Sequence, residues 1–130
     1  MGATDQARSQ TSKLVAVIDD DESVQDSLCD LIESTGFVAR RFGSAEEFLE
    51  YDLHCEVGCL IAEIQMPGMS GLQLQARLKE EQCNIPIIFI ASNGGAKTRI
   101  QAMREGAVEF LAKPLDYQLL LKTLRAALDM

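Results

Sequence analysis

At 130 residues with 20 acidic against 12 basic side chains, a net charge of −8, the chain has room for one domain and lacks the basic face that nucleic-acid or anionic-membrane binding needs. A composition 47% hydrophobic and 25% charged excludes wholesale disorder. No apolar run approaches the ~20 residues of a membrane span, and four cysteines in a chain able to bury a core do not read as a disulfide framework, so a reducing cytoplasm is the expected location.

Residues 1–13 are polar and aperiodic and read as a flexible leader, with the domain expected over 14–130. Leu14-Val15-Ala16-Val17-Ile18 is a continuous apolar run that stops at Asp19-Asp20-Asp21, the signature of a strand buried on both faces. Val24, Leu28, Leu31 and Ile32 follow at helical spacing, closed by Gly36. Phe37 to Phe42 predicts a second strand, and Ser44 with Glu47 three residues on predicts a capping box opening a short helix. Cys59-Leu60-Ile61-Ala62 is the third strand, ending at Glu63-Ile64, and Pro67-Gly68 turns the chain into a helix from about Gly71 to Glu81. Pro86 opens the fourth strand, Ile87 to Ala91. A Ser92-Asn93-Gly94-Gly95 loop, a helix carrying Ile100 and Met103, a strand from Val108 to Ala112 and a last helix lined by Tyr117, Leu120, Leu121, Leu124 and Leu128 complete the chain. Strand and helix in strict alternation predict a doubly wound α/β sandwich. Its site should lie beyond the carboxyl ends of the strands, at the topological switch point.

Those strand ends carry Asp19-Asp20, Glu63, Ala91-Ser92 and Lys113-Pro114. Converging carboxylates suit a hard divalent cation, and the lysine would offset charge and hold an anionic oxygen. The competing reading, acidic residues that merely cap helices, suits Asp21 or Glu22 better than the strand-end set.

Val17-Ile18-Asp19-Asp20-Asp21-Glu22, Met66-Pro67-Gly68-Met69-Ser70-Gly71 and Gly106-Ala107-Val108-Glu109-Phe110-Leu111-Ala112-Lys113-Pro114 strongly resemble the response-regulator receiver family, from about Leu14 to Leu128. Ser44-Ala45-Glu46-Glu47-Phe48-Leu49 further resembles receivers that precede a helix-turn-helix output domain. The resemblance implies a flavodoxin-like fold of strand order 2-1-3-4-5 with five helices, and a switching role in a two-component phosphorelay. It implies that Asp19 and Asp20 hold Mg²⁺ together with the acceptor side chain and the Gln65 carbonyl. Lys113 would contact the phosphoryl oxygens, Phe110 would be the aromatic that changes rotamer on occupation, and the Lys113-Pro114 peptide would be cis. A histidine kinase or phosphotransfer protein would be the donor, an output domain or effector the recipient. The face of helix 4, strand 5 and helix 5, where Lys97, Arg99 and Arg104 are locally basic, would be the docking or homodimer surface.

Two positions depart from the family pattern. The acceptor position is Glu63, whose carboxylate reaches about 1.5 Å further than aspartate's, so the chain is expected to be non-phosphorylatable and a partial phosphomimetic with one charge against roughly two. The Thr or Ser position at the end of strand 4 is Ala91, which has no donor; Ser92 beside it should point elsewhere by strand alternation. A pseudo-receiver that only binds protein partners is the alternative. A flavodoxin-like carrier or phosphatase fits less well, because acidic residues follow strand 1 and the acceptor aspartate is absent. His54, Cys55 and Cys59 could be grouped as a metal cluster, but three ligands fall short of a zinc site, and free thiols are expected at all four cysteines.

Overall fold

The computed structural model describes residues 14–92 and 95–128; the leader expected at 1–13 and the Asn93-Gly94 part of the predicted loop lie outside them. The elements are β1 (Leu14–Ile18), α1 (Glu22–Ser34), β2 (Val38–Phe42), α2 (Ala45–Glu50), a 3₁₀ turn (His54–Glu56), β3 (Cys59–Glu63), α3 (Gly71–Glu80), β4 (Ile87–Ala91), α4 (Ala96–Arg104), β5 (Glu109–Ala112) and α5 (Tyr117–Leu128). All neighbouring strands pair in parallel, in the order β2-β1-β3-β4-β5.

Alternation along the buried strands sorts their side chains between two cores. Ala16, Ile18, Leu60, Ala62, Phe89 and Phe110 meet Phe48 of α2, Leu74 and Leu78 of α3 and Ala102 of α4. Val15, Val17, Cys59, Ile61, Ile88 and Ile90 meet Leu28 and Ile32 of α1 and Leu120 and Leu124 of α5. Both faces of the sheet are therefore covered, which is why these runs are apolar throughout rather than at every second residue. Each fully buried Ile or Phe contributes about 1.5–3 kcal/mol. At the edge, β2 buries only Phe42 and leaves Val38, Arg40 and Arg41 exposed.

Caps fix where the helices start. Asp21 accepts from the Ser23 amide at 2.9 Å, and Ser70 forms a complete box with Gln73. The box expected at Ser44 forms only by half: its hydroxyl accepts from the Glu47 amide at 3.0 Å, while the Glu47 carboxylate takes the Gly43 N–H at 3.1 Å instead of that of Ser44. The short α2 is thereby clamped one residue further back.

Gly71 opens α3 directly beneath the end of β3. A Cβ there would lie 2.9 Å from the Phe89 ring and 3.0 Å from both the Glu63 carbonyl oxygen and the Ile64 Cα. Two of those three obstacles are backbone and cannot swing aside. Gly71→Ala is expected to cost about 1–3 kcal/mol by overpacking, read as a lowered urea midpoint at unchanged slope.

One expectation fails in this layer. Cys55 and Cys83 form a disulfide across 28 residues with Cα atoms 5.1 Å apart, within bridging range. The loop before β3 and the loop before β4 are brought side by side by the parallel pairing of their strands, a juxtaposition with no local signature. Cys29 and Cys59 are free and buried, as expected; burial pushes the Cys59 thiol up to about 12. Since Cys59 packs in the core under α1 and α5, it is separated from His54 and Cys55.

Candidate functional site

Chain order runs outward from β1 in both directions, to β2 on one side and β3 on the other, so a crevice opens at the carboxyl ends of β1 and β3. Register delivers the charged residues to it: Ile18 pairs with Ala62, Glu63 with Ile90, and Ala91 with Ala112, putting Asp19 and Glu63 at adjacent strand ends and Lys113 at the same end of the sheet, two strands beyond Glu63. The Lys113 amide donates to the Ala91 carbonyl at 2.8 Å, and the Lys113-Pro114 peptide that follows is cis, as the resemblance implies.

Lys113 Nζ lies 2.8 Å from Glu63 Oε1 and 3.3 Å from Asp19 Oδ2. Glu63 Oε2 accepts from the amides of Ile64 at 2.9 Å and Gln65 at 3.3 Å, and Asp19 Oδ1 from the Asp21 amide at 2.9 Å. All four oxygens of the two buried carboxylates thus meet donors, which is what makes their burial tolerable. Burial is nonetheless the largest influence on Asp19, which is 1% exposed, and raises its carboxyl above the ordinary value against the pull of the Asp21 amide and Lys113. For Lys113 burial opposes the charge, but the hydrogen bond to Glu63 and the charges of Asp19 and Glu63 outweigh it, and its ammonium is raised. The two directions agree with exposure, since the lysine side chain is 22% exposed and keeps more of its hydration.

Asp20 and Gln65, expected beside this pair, are exposed. Ala91 is fully buried, Phe110 sits in the core with it, and an alanine side chain offers no donor. The reading of Ser92 is corrected: its hydroxyl donates to Glu63 Oε1 at 3.4 Å, because the chain leaves strand geometry at Ala91 and alternation no longer governs the next residue. A second residue went unread in the sequence. Gln25, buried on α1, donates through Nε2 to the carbonyls of Asp19 and Phe42, and so fixes the backbone on which Asp19 stands. A polar residue inside an otherwise apolar helical stripe is the clue that would find it.

The donor set fits a hard cation, for Asp19, Asp20, Glu63 and the Gln65 carbonyl offer oxygen only. Lys113 is the competitor, since it already neutralises one oxygen of each buried carboxylate.

The family model for the response regulator receiver domain matches residues 15–125. The chain is 44% identical over 114 residues to the transcriptional regulatory protein TdiR of Thauera aromatica, covering 88% of this chain and 50% of that protein. It is 39% identical over 122 residues to the response regulator protein TodT of Pseudomonas putida, covering 94% and 54%. Among solved structures, the response regulator StyR superposes with a TM-score of 0.82 at 41% identity, over 89% of this chain and 59% of that one. FixJ-N superposes at 0.80 and 33%, over 89% and 93%. The chain spans about half the length of these curated relatives. With a family model matched over residues 15–125 and a sheet that superposes on those of solved response regulators, the chain belongs to the response regulator receiver family.

Proposed function

We propose that this receiver switches a partner from a pocket that Glu63 has taken out of the phosphoryl-transfer cycle. The carrying observation is the 2.8 Å contact of Lys113 with Glu63 Oε1. The lysine that would bind an incoming phosphoryl oxygen is already bound by the carboxylate standing at the acceptor position, and the Ser92 hydroxyl reaches the same oxygen. Such a pocket rests in a partly switched state, with one negative charge where a phosphoryl group would bring roughly two. The chain's role is regulatory rather than enzymatic, and its setting is the cytoplasm; no helix among the described residues is long and apolar enough to cross a membrane.

Asp19, Asp20, Glu63 and the Gln65 carbonyl would hold Mg²⁺, which when bound neutralises the donor's phosphoryl charge. Mg²⁺ demands near-ideal octahedral geometry, and the longer glutamate shared with Lys113 is poorly matched to it. Titration is expected to give weaker Mg²⁺ binding by this chain than by Glu63→Asp; equal or tighter binding by the glutamate form overturns the geometric argument. No binding by either form favours a pseudo-receiver.

Partners follow from the family and from the surface. TdiR is named a transcriptional regulatory protein and TodT a response regulator protein, and the chain spans about half of each, so an output domain or effector is the proposed recipient and a histidine kinase or phosphotransfer protein the proposed upstream contact. The proposed docking or homodimer face is α4-β5-α5, where Ile100, Met103, Val108, Tyr117 and Leu119 are exposed apolar side chains. The test of the reading is phosphoprotein mass together with association state after incubation with acetyl phosphate. The chain as it stands should gain no phosphoryl group; stable phosphorylation at Glu63 would refute the proposal.

A further inference from the structure

At the opposite end of the sheet, four side chains with metal-ligating atoms come together from two loops. His54 and Cys55 lie in the 3₁₀ turn before β3, Glu81 and Cys83 between α3 and β4, and their ligating atoms all fall within 4.8 Å of one another. We infer that, with its two sulfurs reduced, this cluster is a site for a thiophilic divalent cation of the zinc class, independent of the acidic pocket.

The imidazole carries the argument. Its Nδ1 is 2.8 Å from the Tyr51 carbonyl oxygen and its Nε2 is 2.8 Å from Glu81 Oε1. Both neighbours are acceptors, and a neutral imidazole has only one N–H to offer. If that hydrogen goes to Tyr51, a lone pair faces a carboxylate, and the pair needs a proton or a metal cation between them. Donation of Nδ1–H to a backbone carbonyl is also the arrangement that fixes a metal-binding histidine with Nε2 free to ligate. The edge of the ring is further held against Phe48, with centroids 5.6 Å apart.

The other ligands are similarly positioned. Arg77 Nε binds Glu81 Oε2 at 3.1 Å, leaving Oε1 turned to the cluster. Cys83 follows a helix end in which its own amide bonds to the Leu78 carbonyl and that of Gln82 to Lys79, with Gln82 in the left-handed region at φ 60°. This Schellman-type closure sets Cys83 back toward Glu81. Cys83 is nearly buried while Cys55 is exposed, so the site has a supported floor and an open approach.

Two sulfurs, one imidazole nitrogen and one carboxylate oxygen are a four-coordinate zinc set, whose atoms sit about 3.3–3.8 Å apart around a tetrahedral ion. The sulfurs select against Mg²⁺ and Ca²⁺. In the disulfide form the sulfurs are bonded to each other and neither is a thiolate. Reduction by a trialkylphosphine and water gives two thiols and the phosphine oxide, and binding of one divalent cation then releases the two thiol protons.

Co²⁺ is the probe, because thiolate-to-cobalt charge-transfer bands cannot arise at the acidic pocket. The phosphine-reduced chain is expected to develop those bands with about one equivalent of Co²⁺ and to lose them on adding Zn²⁺. Glu63→Gln should leave them intact. Cys55→Ser, at an exposed position that does not endanger the fold, should abolish or strongly weaken them, and His54→Ala should lower affinity about tenfold or more. Absence of the bands in the reduced chain overturns the inference. So does their persistence at full strength in the Cys55→Ser/Cys83→Ser double variant, which would place the metal on Cys29 or Cys59.

Discussion

Glu63→Asp should convert a chain that acetyl phosphate leaves unmodified into one that carries a phosphoryl group, with a rate difference of about a hundredfold or more. The estimate rests on placement. Shortening the side chain withdraws its carboxylate by about 1.5 Å, and errors of that size in the position of an attacking atom cost about a hundredfold. Withdrawal also frees Lys113 Nζ, now 2.8 Å from Glu63 Oε1, to meet a phosphoryl oxygen instead. Donor positioning and charge stabilisation, which dominate phosphoryl transfer, would otherwise be unchanged, since Asp19 and Lys113 keep their places. Intact mass with and without donor measures the outcome. Ala91 offers no hydroxyl, so phosphorylated Glu63→Asp should shift association state only weakly, and Ala91→Thr added to it should strengthen the shift. Full switching without the threonine would mean that Ser92, already within 3.4 Å of Glu63, supplies the hydroxyl.

Lys113→Ala should be the most destabilising single change at the pocket, costing about 3–5 kcal/mol at neutral pH, as removing one partner of a buried pair does. Asp19 and Glu63, exposed by only 1% and 4%, would face each other with no ammonium between them. The pH dependence has a definite sign. The Asp19 carboxyl is already raised by burial, so the folded chain holds that proton more tightly than the unfolded one, and stability falls as pH rises from the unfolded value of 3.8 through the folded one. Taking away Lys113, which lowers it, must widen that window and deepen the fall. Urea midpoints of the two proteins should therefore lie closer together near pH 4 than at pH 7. The double variant Glu63→Gln/Lys113→Ala should regain part of the loss at neutral pH; a cost unchanged by that second substitution would show that packing of the lysine stem, not charge, was lost.

The parts of this molecule that sequence makes legible are those governed by local pattern. Continuous apolar runs at Leu14–Ile18, Cys59–Ala62 and Ile87–Ala91, too short for helices and bounded by turn residues, read as strands covered on both faces, and as parallel neighbours they send the residues after them to one end of the sheet. That logic brings Asp19, Glu63 and Lys113 together without any structure. It fails where a contact depends on how a loop leaves its strand. Ser92 turns toward Glu63 one residue past the end of β4, where alternation has ceased to apply. It fails equally for Cys55 and Cys83, whose loops meet only because β3 and β4 are adjacent; grouping Cys55 with its sequence neighbour Cys59 chose a residue that the strand carries into the core. Gln25 was hidden for the opposite reason, a polar side chain whose partners are two main-chain carbonyls on other elements.

The arginines of β2 bear on how copies of this chain can meet. An edge strand presents unpaired main-chain groups that invite a further strand. Here any intruder would have to lie against adjacent Arg40 and Arg41, the first resting on the Tyr51 ring 4.6 Å away and the second tethered to Asp26. Two β2 edges brought together would oppose four guanidinium groups at close range. That margin of the sheet is a fence against a further strand, built from charge carried on the edge itself.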